Sequence, residues 1–295
     1  MKGLLKLPYD PRDFKSHKVL GTPKLELPDE YILPKMFPIQ DQGGLPFCFA
    51  HAICSASEEQ EGVKLSEETQ AVFSYELLGG INPQGCDLRN ACKSAVKTGS
   101  CEKSKVTLPS PKTLAVLGDK KSYNEFELAQ AYTHKKKTYL AVTGPYDLFD
   151  NIRNIIWQRR NDRVIVITGC NFPQWLFYEN NGVVPNVTLS SGTGHAFVVR
   201  GWKMINNVLH LVVQLSNGSR VGDNGYLYFP REVVNREFAF GNYILIDLDP
   251  NEAKQASWSS IIKMWDIILK NYELIKNTIN KTVASFVSAF ARDYD

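Results

Sequence analysis

The sequence predicts an α+β protein in which a helical half precedes a β-rich half. Residues 48–61 form a run rich in small residues and end before Gly62, a residue typical of helix C-termini. From residue 163 onward the pattern changes to short runs of β-branched and aromatic residues, beginning at 164–169. This order of patterns, helices first and strands second, predicts the fold class.

Further helices are predicted after the first one. Ser66 has the features of an N-cap for a helix over residues 65–78, because acidic residues follow it in the first turn. Residues 88–98 predict a short helix with basic residues near its C-terminus, and residues 123–133 predict another. The predicted strands cover residues 164–169, 194–202, 208–215, 226–229 and 243–247.

Cys48 is the strongest candidate nucleophile. It begins the helix predicted over residues 48–61, and Gln42 lies six residues before it. Unpaired backbone amides and the helix dipole stabilise a thiolate at such a position, and lower the thiol pKa from about 8.5 when a cationic imidazole is also near. A thiol with a lowered pKa is a usable nucleophile.

His195 is the candidate base for this thiol. It lies at the start of the strand predicted over residues 194–202, far from Cys48 in sequence. Cysteine and histidine that are distant in sequence but adjacent in the fold are typical of a thiol nucleophile with its general base. His51 lies three residues after Cys48 on the same helix and is interpreted as a buried structural histidine.

A third segment, residues 216–227, runs from a strand through a glycine-rich loop, 222–226, into another strand. Together with the segment from Gln42 to Cys48 and with Gly194-His195-Ala196, it resembles the papain-like cysteine peptidases over about residues 38–248. Residues 9–14, Tyr-Asp-Pro-Arg-Asp-Phe, resemble a motif that precedes the peptidase domain in some bacterial and viral members.

The resemblance implies a two-lobed papain-like fold, in which a helical lobe carrying Cys48 faces an antiparallel sheet lobe carrying His195 across a cleft. It implies that Cys48 is the nucleophile and His195 the imidazole partner. The side-chain amide of Gln42 would form the oxyanion hole with the Cys48 N–H, and such donors contribute about 3 kcal/mol each to transition-state stabilisation. No metal and no organic cofactor is expected.

The residue that orients the histidine departs from the family pattern. Ungapped alignment on residues 222–226 places Leu215 where the family has asparagine. Asn217 lies two residues later, and side chains two apart on a strand project to the same face. We therefore hypothesise that Asn217 takes the orienting role. Phe49 stands where the family usually has tryptophan, and Leu45 stands where many members have a disulfide cysteine.

The cysteine pattern predicts reduced, mostly buried thiols. Once Cys48 is set aside, five cysteines remain, so a full disulfide set is not expected. Cys86, Cys92 and Cys101 lack a repeated Cys-x-x-Cys spacing and a nearby histidine, which argues against zinc. Reduced cysteines favour a cytoplasmic or particle-associated location, and nothing else in the sequence selects a compartment.

Composition excludes several classes of function. The chain has 295 residues, a formal net charge of +3, 43% hydrophobic and 22% charged residues, which are ordinary values for a globular protein that does not bind nucleic acid. The apolar run at the start is too short for a signal peptide. No segment offers the roughly 20 apolar residues of a transmembrane helix.

Three regions are predicted along the chain. Residues 1–40 contain six prolines and form an extended arm, which either blocks the cleft, as in a zymogen, or is a surface strap. Residues 41–250 form the peptidase domain. Residues 251–295 form an amphipathic helix that packs on its own domain, self-associates as a coiled coil or docks on a larger assembly. Its heptad positions are Trp258, Trp265, Tyr272, Ile279 and Phe286.

The predicted function is that of a papain-like cysteine endopeptidase acting on peptide or protein substrates through Cys48, His195 and Gln42. The alternative is a catalytically silent papain-like domain that serves as a structural or binding module, which Leu215 favours. A thiol acyltransferase would use the same dyad with an amine in place of water.

Overall fold

The computed structural model describes residues 3–6, 10–22, 26–179, 181–189 and 192–247. The α+β prediction is confirmed, because helices dominate the first part and an antiparallel sheet the second. The helices are α1 Ser16–Leu20, α2 Cys48–Glu61, α3 Glu67–Leu78, α4 Leu88–Lys97, α5 Leu114–Leu117, α6 Glu125–Ala129, α7 Leu148–Gln158 and α8 Arg231–Glu237. The strands are β1 Tyr31–Ile32, β2 Thr138–Ala141, β3 Val166–Phe172, β4 Thr193–Ile205, β5 Val208–Gln214, β6 Tyr226–Pro230 and β7 Tyr243–Ile246.

The sheet has the strand order β2-β7-β3-β4-β5-β6, and β1 adds to the side of β4. Every pair of these strands is antiparallel. The 13-residue strand β4 is central, because its first half pairs with β3 and its second half with β5. A register shift between Val199 and Gly201 separates these two halves.

Helix α2 is buried along most of its length, since it packs between α3, α4 and the strand β4. It begins at Cys48 and ends at Glu61, and the next residue, Gly62, caps it with a left-handed φ of 69° and an N–H that donates to the Glu58 carbonyl. These are the bounds that the sequence predicts.

Two further helices begin after capping residues, of which the sequence analysis predicted Ser66 but not Asp87. The Ser66 side chain accepts a hydrogen bond from the Thr69 N–H at the start of α3. Asp87 does the same for the Asn90 N–H at the start of α4.

The helix predicted over residues 123–133 is wrong in its length. It divides into the short α6 and a 3₁₀ segment, Gln130–His134. There the Thr133 hydroxyl donates to the Gln130 carbonyl, a local side-chain bond of the kind that competes with α-helical geometry.

Sequence reasoning missed the helices α1, α5, α7 and α8 and the strands β1 and β2. Helix α7 did carry a signal, because Asp147 caps it and its buried residues recur at helical spacing: Phe149, Ile152, Ile155 and Ile156. Strand β2 has four residues and depends on its pairing with β7, so no local pattern identifies it.

A buried ion pair joins α2 to β4. The Arg200 guanidinium on β4 donates to Glu59 on α2 at 2.7 Å, and both side chains are almost fully buried. Arg163 contacts the other oxygen of the same carboxylate. Because α2 begins at Cys48 and β4 carries His195, this pair ties together the two elements that hold the candidate dyad.

The amino-terminal region is joined to the domain well before residue 40. The Phe14 carbonyl accepts from the Ala141 N–H at 2.8 Å, and Tyr31 of β1 pairs with Trp202 of β4. The Leu33 N–H donates to the Arg200 carbonyl at 3.0 Å. Phe14 and residues 31–33 therefore extend the sheet and its edges. The helix predicted over 251–295 lies outside the described residues.

All six cysteines are buried and unpaired. In the part of the chain that the structure describes, no three His, Cys, Asp or Glu side chains are grouped so as to hold a metal ion. No described helix is both long enough and apolar enough to cross a membrane.

Candidate active site

Cys48 is the first residue of α2 and is fully buried. Burial raises the pKa of its thiol to about 12, while the backbone N–H groups of Ala196, Phe49 and Cys48 itself act in the opposite direction. The predicted lowering of this pKa is therefore wrong for the state described. The helix N-terminus does favour the thiolate, but loss of water outweighs it.

His195 lies at the start of β4 and is 2% exposed. Its Nε2 lies 2.9 Å from Asn217 Oδ1, and since a carbonyl oxygen only accepts, Nε2 carries the proton. Nδ1 is then the acceptor nitrogen of the neutral ring. Burial lowers the pKa of His195 to about 4, and the hydrogen bond with Asn217 acts against that shift.

The structure places the Cys48 thiol against the strand that carries His195. The N–H of Ala196, the residue after His195, is hydrogen-bonded to the Cys48 thiol. His51 is not part of this arrangement. Its ring is buried, Nδ1 lies 3.8 Å from Glu67 Oε1, and this atom has no hydrogen-bond partner within the described residues.

Two phenylalanines cover the His195 ring. Phe172 packs edge-on at 4.8 Å between ring centroids, and Phe177 lies at 6.2 Å. Phe172 ends β3, and Phe177 lies in the 3₁₀ turn Gln174–Tyr178 that follows. Sequence reasoning missed both, although clustered aromatics after a strand predicted to be buried were a usable signal.

Asn217 contacts His195, whereas Leu215 does not take that place. Leu215 is 2% exposed and its N–H donates to the Gly225 carbonyl. An isolated antiparallel bridge between Asp41 and Asn217 brings the two segments together. The alignment without a gap on residues 222–226 is therefore wrong by two positions at this point, because the side-chain amide that meets His195 belongs to Asn217 and not to residue 215.

Gln42 lies beside the same loop. Its N–H donates to the Ser216 carbonyl at 2.8 Å, and the Ser216 hydroxyl donates to Gln42 Oε1 at 2.6 Å. Its Nε2 donates to the Leu45 carbonyl at 2.8 Å. These partners fix the orientation of the amide and leave one hydrogen on Nε2 for a ligand. Ser216 is a positioning residue that sequence reasoning did not identify.

The first described residues of the chain cover the thiol. A β-carbon built on Gly3 would lie 2.6 Å from Cys48 Sγ. Leu4 forms a parallel bridge with Cys86, and the Leu5 N–H donates to the Cys86 carbonyl at 3.2 Å. We call residues 3–6 the blocking segment, because Gly3 lies directly against the Cys48 thiol.

Glycines line the groove that holds the blocking segment. A β-carbon at Gly85 would collide with the Gly3 backbone, one at Gly169 with the Leu4 side chain, and one at Gly194 with the Leu4 carbonyl. Leu4 itself is 5% exposed. The groove therefore accepts an extended chain at close range and has an apolar pocket filled by one leucine.

Residues 3–6 bury the Cys48 thiol, and Phe172 and Phe177 cover the His195 imidazole. With the segment in place, the preferred forms of the two groups are thiol and neutral imidazole, the reverse of a thiolate–imidazolium pair.

Comparison with solved structures identifies the fold. Xylellain, a cysteine protease from Xylella fastidiosa, superposes with a TM-score of 0.65 at 18% identity, covering 84% of this chain and 96% of that one. Digestive procathepsin L2 from Tenebrio molitor gives 0.64 at 17%, covering 83% and 77%. Bromelain from Ananas comosus, solved with the E64 inhibitor, gives 0.57 at 16%, covering 75% and 99%.

No family sequence model and no curated protein matches the chain. At these identities the structural likeness shows the fold alone. The chain has the two-lobed, papain-like α+β fold that the sequence predicts.

Proposed function

We propose that this protein is a papain-like cysteine endopeptidase in which Cys48 is the nucleophile and His195 the general base and acid. The observation that carries the proposal is the 2.9 Å contact between His195 Nε2 and Asn217 Oδ1, with the Cys48 thiol held against the next residue on the strand. This contact orients the imidazole and selects the tautomer with Nδ1 available to the thiol.

The reaction begins when the Cys48 proton passes to His195 and the thiolate attacks a peptide carbonyl. The Cys48 N–H and the remaining Nε2 hydrogen of Gln42 stabilise the oxyanion. His195 then donates its proton to the leaving amine as the acyl-enzyme forms. Water, deprotonated by His195, cleaves the thioester and returns the thiol.

We also propose that the chain is a zymogen, with its own amino terminus as inhibitor. Gly3 covers the thiol and Leu4 fills the apolar pocket, so a substrate and the blocking segment exclude each other. Deleting residues 1–36 is a poor test, because it would remove β1 and the Leu33–Arg200 hydrogen bond.

A full-length variant is the sharper test. Leu4→Asp places a carboxylate in an apolar, buried pocket, which the charged side chain leaves for water. We expect an epoxide inhibitor to alkylate Cys48 at least tenfold faster in this variant than in the parent chain. Peptide mapping by mass spectrometry identifies the labelled cysteine among the six.

The control for chemistry is Cys48→Ser in the Leu4→Asp background, which should lose all labelling and peptidase activity. The control for surface charge is Val187→Asp, since Val187 is 43% exposed. Absence of labelling and of peptide hydrolysis in Leu4→Asp, with the fold intact, would refute the peptidase proposal and favour the silent papain-like module.

A further inference from the structure

A second set of contacts attaches the amino-terminal arm to the domain, at residues other than those that cover the thiol. Arg89 on α4 forms an ion pair with Asp10, Nη2 to Oδ2 at 2.8 Å, and with Asp13, Nε to Oδ1 at 2.6 Å. One guanidinium thus binds two carboxylates of the arm. We call Asp10, Asp13 and Arg89 the latch.

Asp13 is the buried centre of the latch, with its side chain 1% exposed. Besides Arg89 it accepts a hydrogen bond from the Tyr139 hydroxyl at 2.9 Å, and Tyr243 Oη lies 3.4 Å from its other oxygen. Tyr139 and Tyr243 belong to the neighbouring strands β2 and β7. A desolvated carboxylate with these partners is held far more firmly than an exposed ion pair.

Asp10 is the outer part of the latch. The Arg12 guanidinium, 82% exposed, binds it at 2.7 Å within the arm itself. Hydrogen bonds from Arg12, with charge contributions from Arg12 and Arg89, hold the pKa of Asp10 well below its usual range. The Arg12 contact stays within the arm, so the link to the domain runs through Arg89.

The latch and the blocking segment contact the same short stretch of the domain, residues 86–89. Cys86 binds Leu4 and Leu5 of the arm, and Arg89 lies three residues later in the chain. On the arm, three residues separate the blocking segment, which ends at residue 6, from Asp10. A segment tethered this closely has a high effective concentration at its site, and that concentration falls when the tether is released.

We propose that Arg89 is a positioning residue for autoinhibition, and that its ion pairs with Asp10 and Asp13 determine how long residues 3–6 stay in the cleft. This inference rests on the proposed peptidase function for its meaning, but the position of the arm can be measured without catalysis. Cleavage or displacement that separates residues 3–6 from Asp10 would open the site while leaving the latch closed.

The test uses the full-length chain and two independent measurements. Arg89→Gln removes the guanidinium and keeps a polar side chain, and Asp10→Asn is a milder change at the outer part of the latch. Arg153→Gln on α7 is the matched control, because Arg153 is 12% exposed and pairs with Asp150 but with none of the described residues of the arm.

The first measurement is hydrogen–deuterium exchange of peptides that include the Leu5 amide. We expect Arg89→Gln to speed exchange there at least tenfold and Asp10→Asn to speed it severalfold, with Arg153→Gln unchanged. The second measurement is epoxide alkylation of Cys48, which should accelerate in the same order.

A double variant separates a latch effect from a general loosening of the domain. In the Leu4→Asp background the segment has already left the cleft, so adding Arg89→Gln should change the alkylation rate less than twofold. If Arg89→Gln raised the alkylation rate by the same factor in the parent chain and in Leu4→Asp, the proposal would be overturned. It would also be overturned if the Leu5 amide exchanged as slowly in Arg89→Gln and Asp10→Asn as in the parent chain.

The two proposals fail in different ways. If Cys48 reacts with the epoxide in no variant while Arg89→Gln still speeds Leu5 exchange, the peptidase function is refuted and the latch stands. If Leu4→Asp activates Cys48 but Arg89→Gln and Asp10→Asn leave both measurements unchanged, the latch is refuted and the peptidase function stands.

Discussion

At the scale of single residues, the hydrogen bond between His195 and Asn217 leaves Nδ1 as the acceptor nitrogen of the imidazole. The family position for this partner is occupied by Leu215, a buried apolar residue. The loop that follows β5 bridges Asp41, and this brings the amide two residues later onto the ring. Both Gln42 and Asn217 are held by the same short pairing of segments.

Asn217→Ala should reduce kcat/KM by about tenfold. The loss corresponds to one net hydrogen bond of about 1 to 1.5 kcal/mol, after which the ring populates both tautomers. Hydrolysis of a peptide by the Leu4→Asp chain, with and without Asn217→Ala, measures it.

Asn186→Ala is the matched control, because Asn186 is an exposed asparagine far along the chain from this loop. Turnover and pH profile unchanged by Asn217→Ala would remove Asn217 from the mechanism.

At the scale of elements, the site depends on how α2 is held against β4. The Arg200–Glu59 pair spans these two elements, and each partner is nearly inaccessible to water. Arg200 also donates to the Leu33 carbonyl and to the Gln214 side chain, so it links α2, β5 and the segment before α2. This network is the main polar contact between the candidate nucleophile's helix and the candidate base's strand.

Arg200→Leu should lower the free energy of unfolding by about 3 to 5 kcal/mol, because it leaves a buried carboxylate with fewer partners. Urea unfolding followed by tryptophan fluorescence measures the change.

Arg159→Leu, which breaks an ion pair with the half-exposed Asp162, is the comparison and should cost less than about 1 kcal/mol. Equal losses in the two variants would contradict a special role for the buried pair.

At the scale of the whole molecule, the arm and the dyad form one titrating system. The docked arm covers Cys48, and burial raises the pKa of its thiol to about 12, while burial of the His195 imidazole on β4 lowers its pKa to about 4. Opening the cleft restores hydration, so the two states of the arm bind protons differently.

The sign of this linkage predicts opening in acid. We call the protein with its arm docked the closed state. Above about pH 6.5, the ordinary pKa of histidine, the imidazole is neutral in both states and does not oppose closure. As the pH falls from about 6.5 toward 4, the imidazole binds a proton more readily in the open state, so the closed state loses stability. The raised pKa of the Cys48 thiol has the opposite pH dependence: the closed state keeps its stability below about pH 8.5 and loses it as the pH rises further. We expect the closed state to be most stable between about pH 6.5 and 8.5.

Exchange of the Leu5 amide, corrected for the intrinsic pH dependence of exchange, measures this prediction. Protection should weaken progressively from pH 6.5 to 4. His195→Gln, whose amide does not titrate in this range, should abolish the pH dependence while keeping the protection seen at pH 7. If protection of the Leu5 amide in the parent chain did not change between pH 7 and pH 4, the predicted opening in acid would be contradicted.

The sequence by itself determined the α+β class, the bounds of α2 and the residues assigned to the candidate site. Local signals carry these features: Gly62 can adopt the left-handed cap, and β-branched runs select strands. The five predicted strands all occur, with ends that differ by a few residues from those expected.

Only the tertiary structure decided whether Asn217 reaches His195, what covers Cys48 and which way the two pKa values shift. These depend on contacts between residues far apart in the chain, such as Gly3 with Cys48 and Asn217 with His195. The physical reason is that hydration is a property of the assembled fold. A helix N-terminus favours a thiolate in every sequence, but whether water reaches it depends on what the rest of the chain places on top.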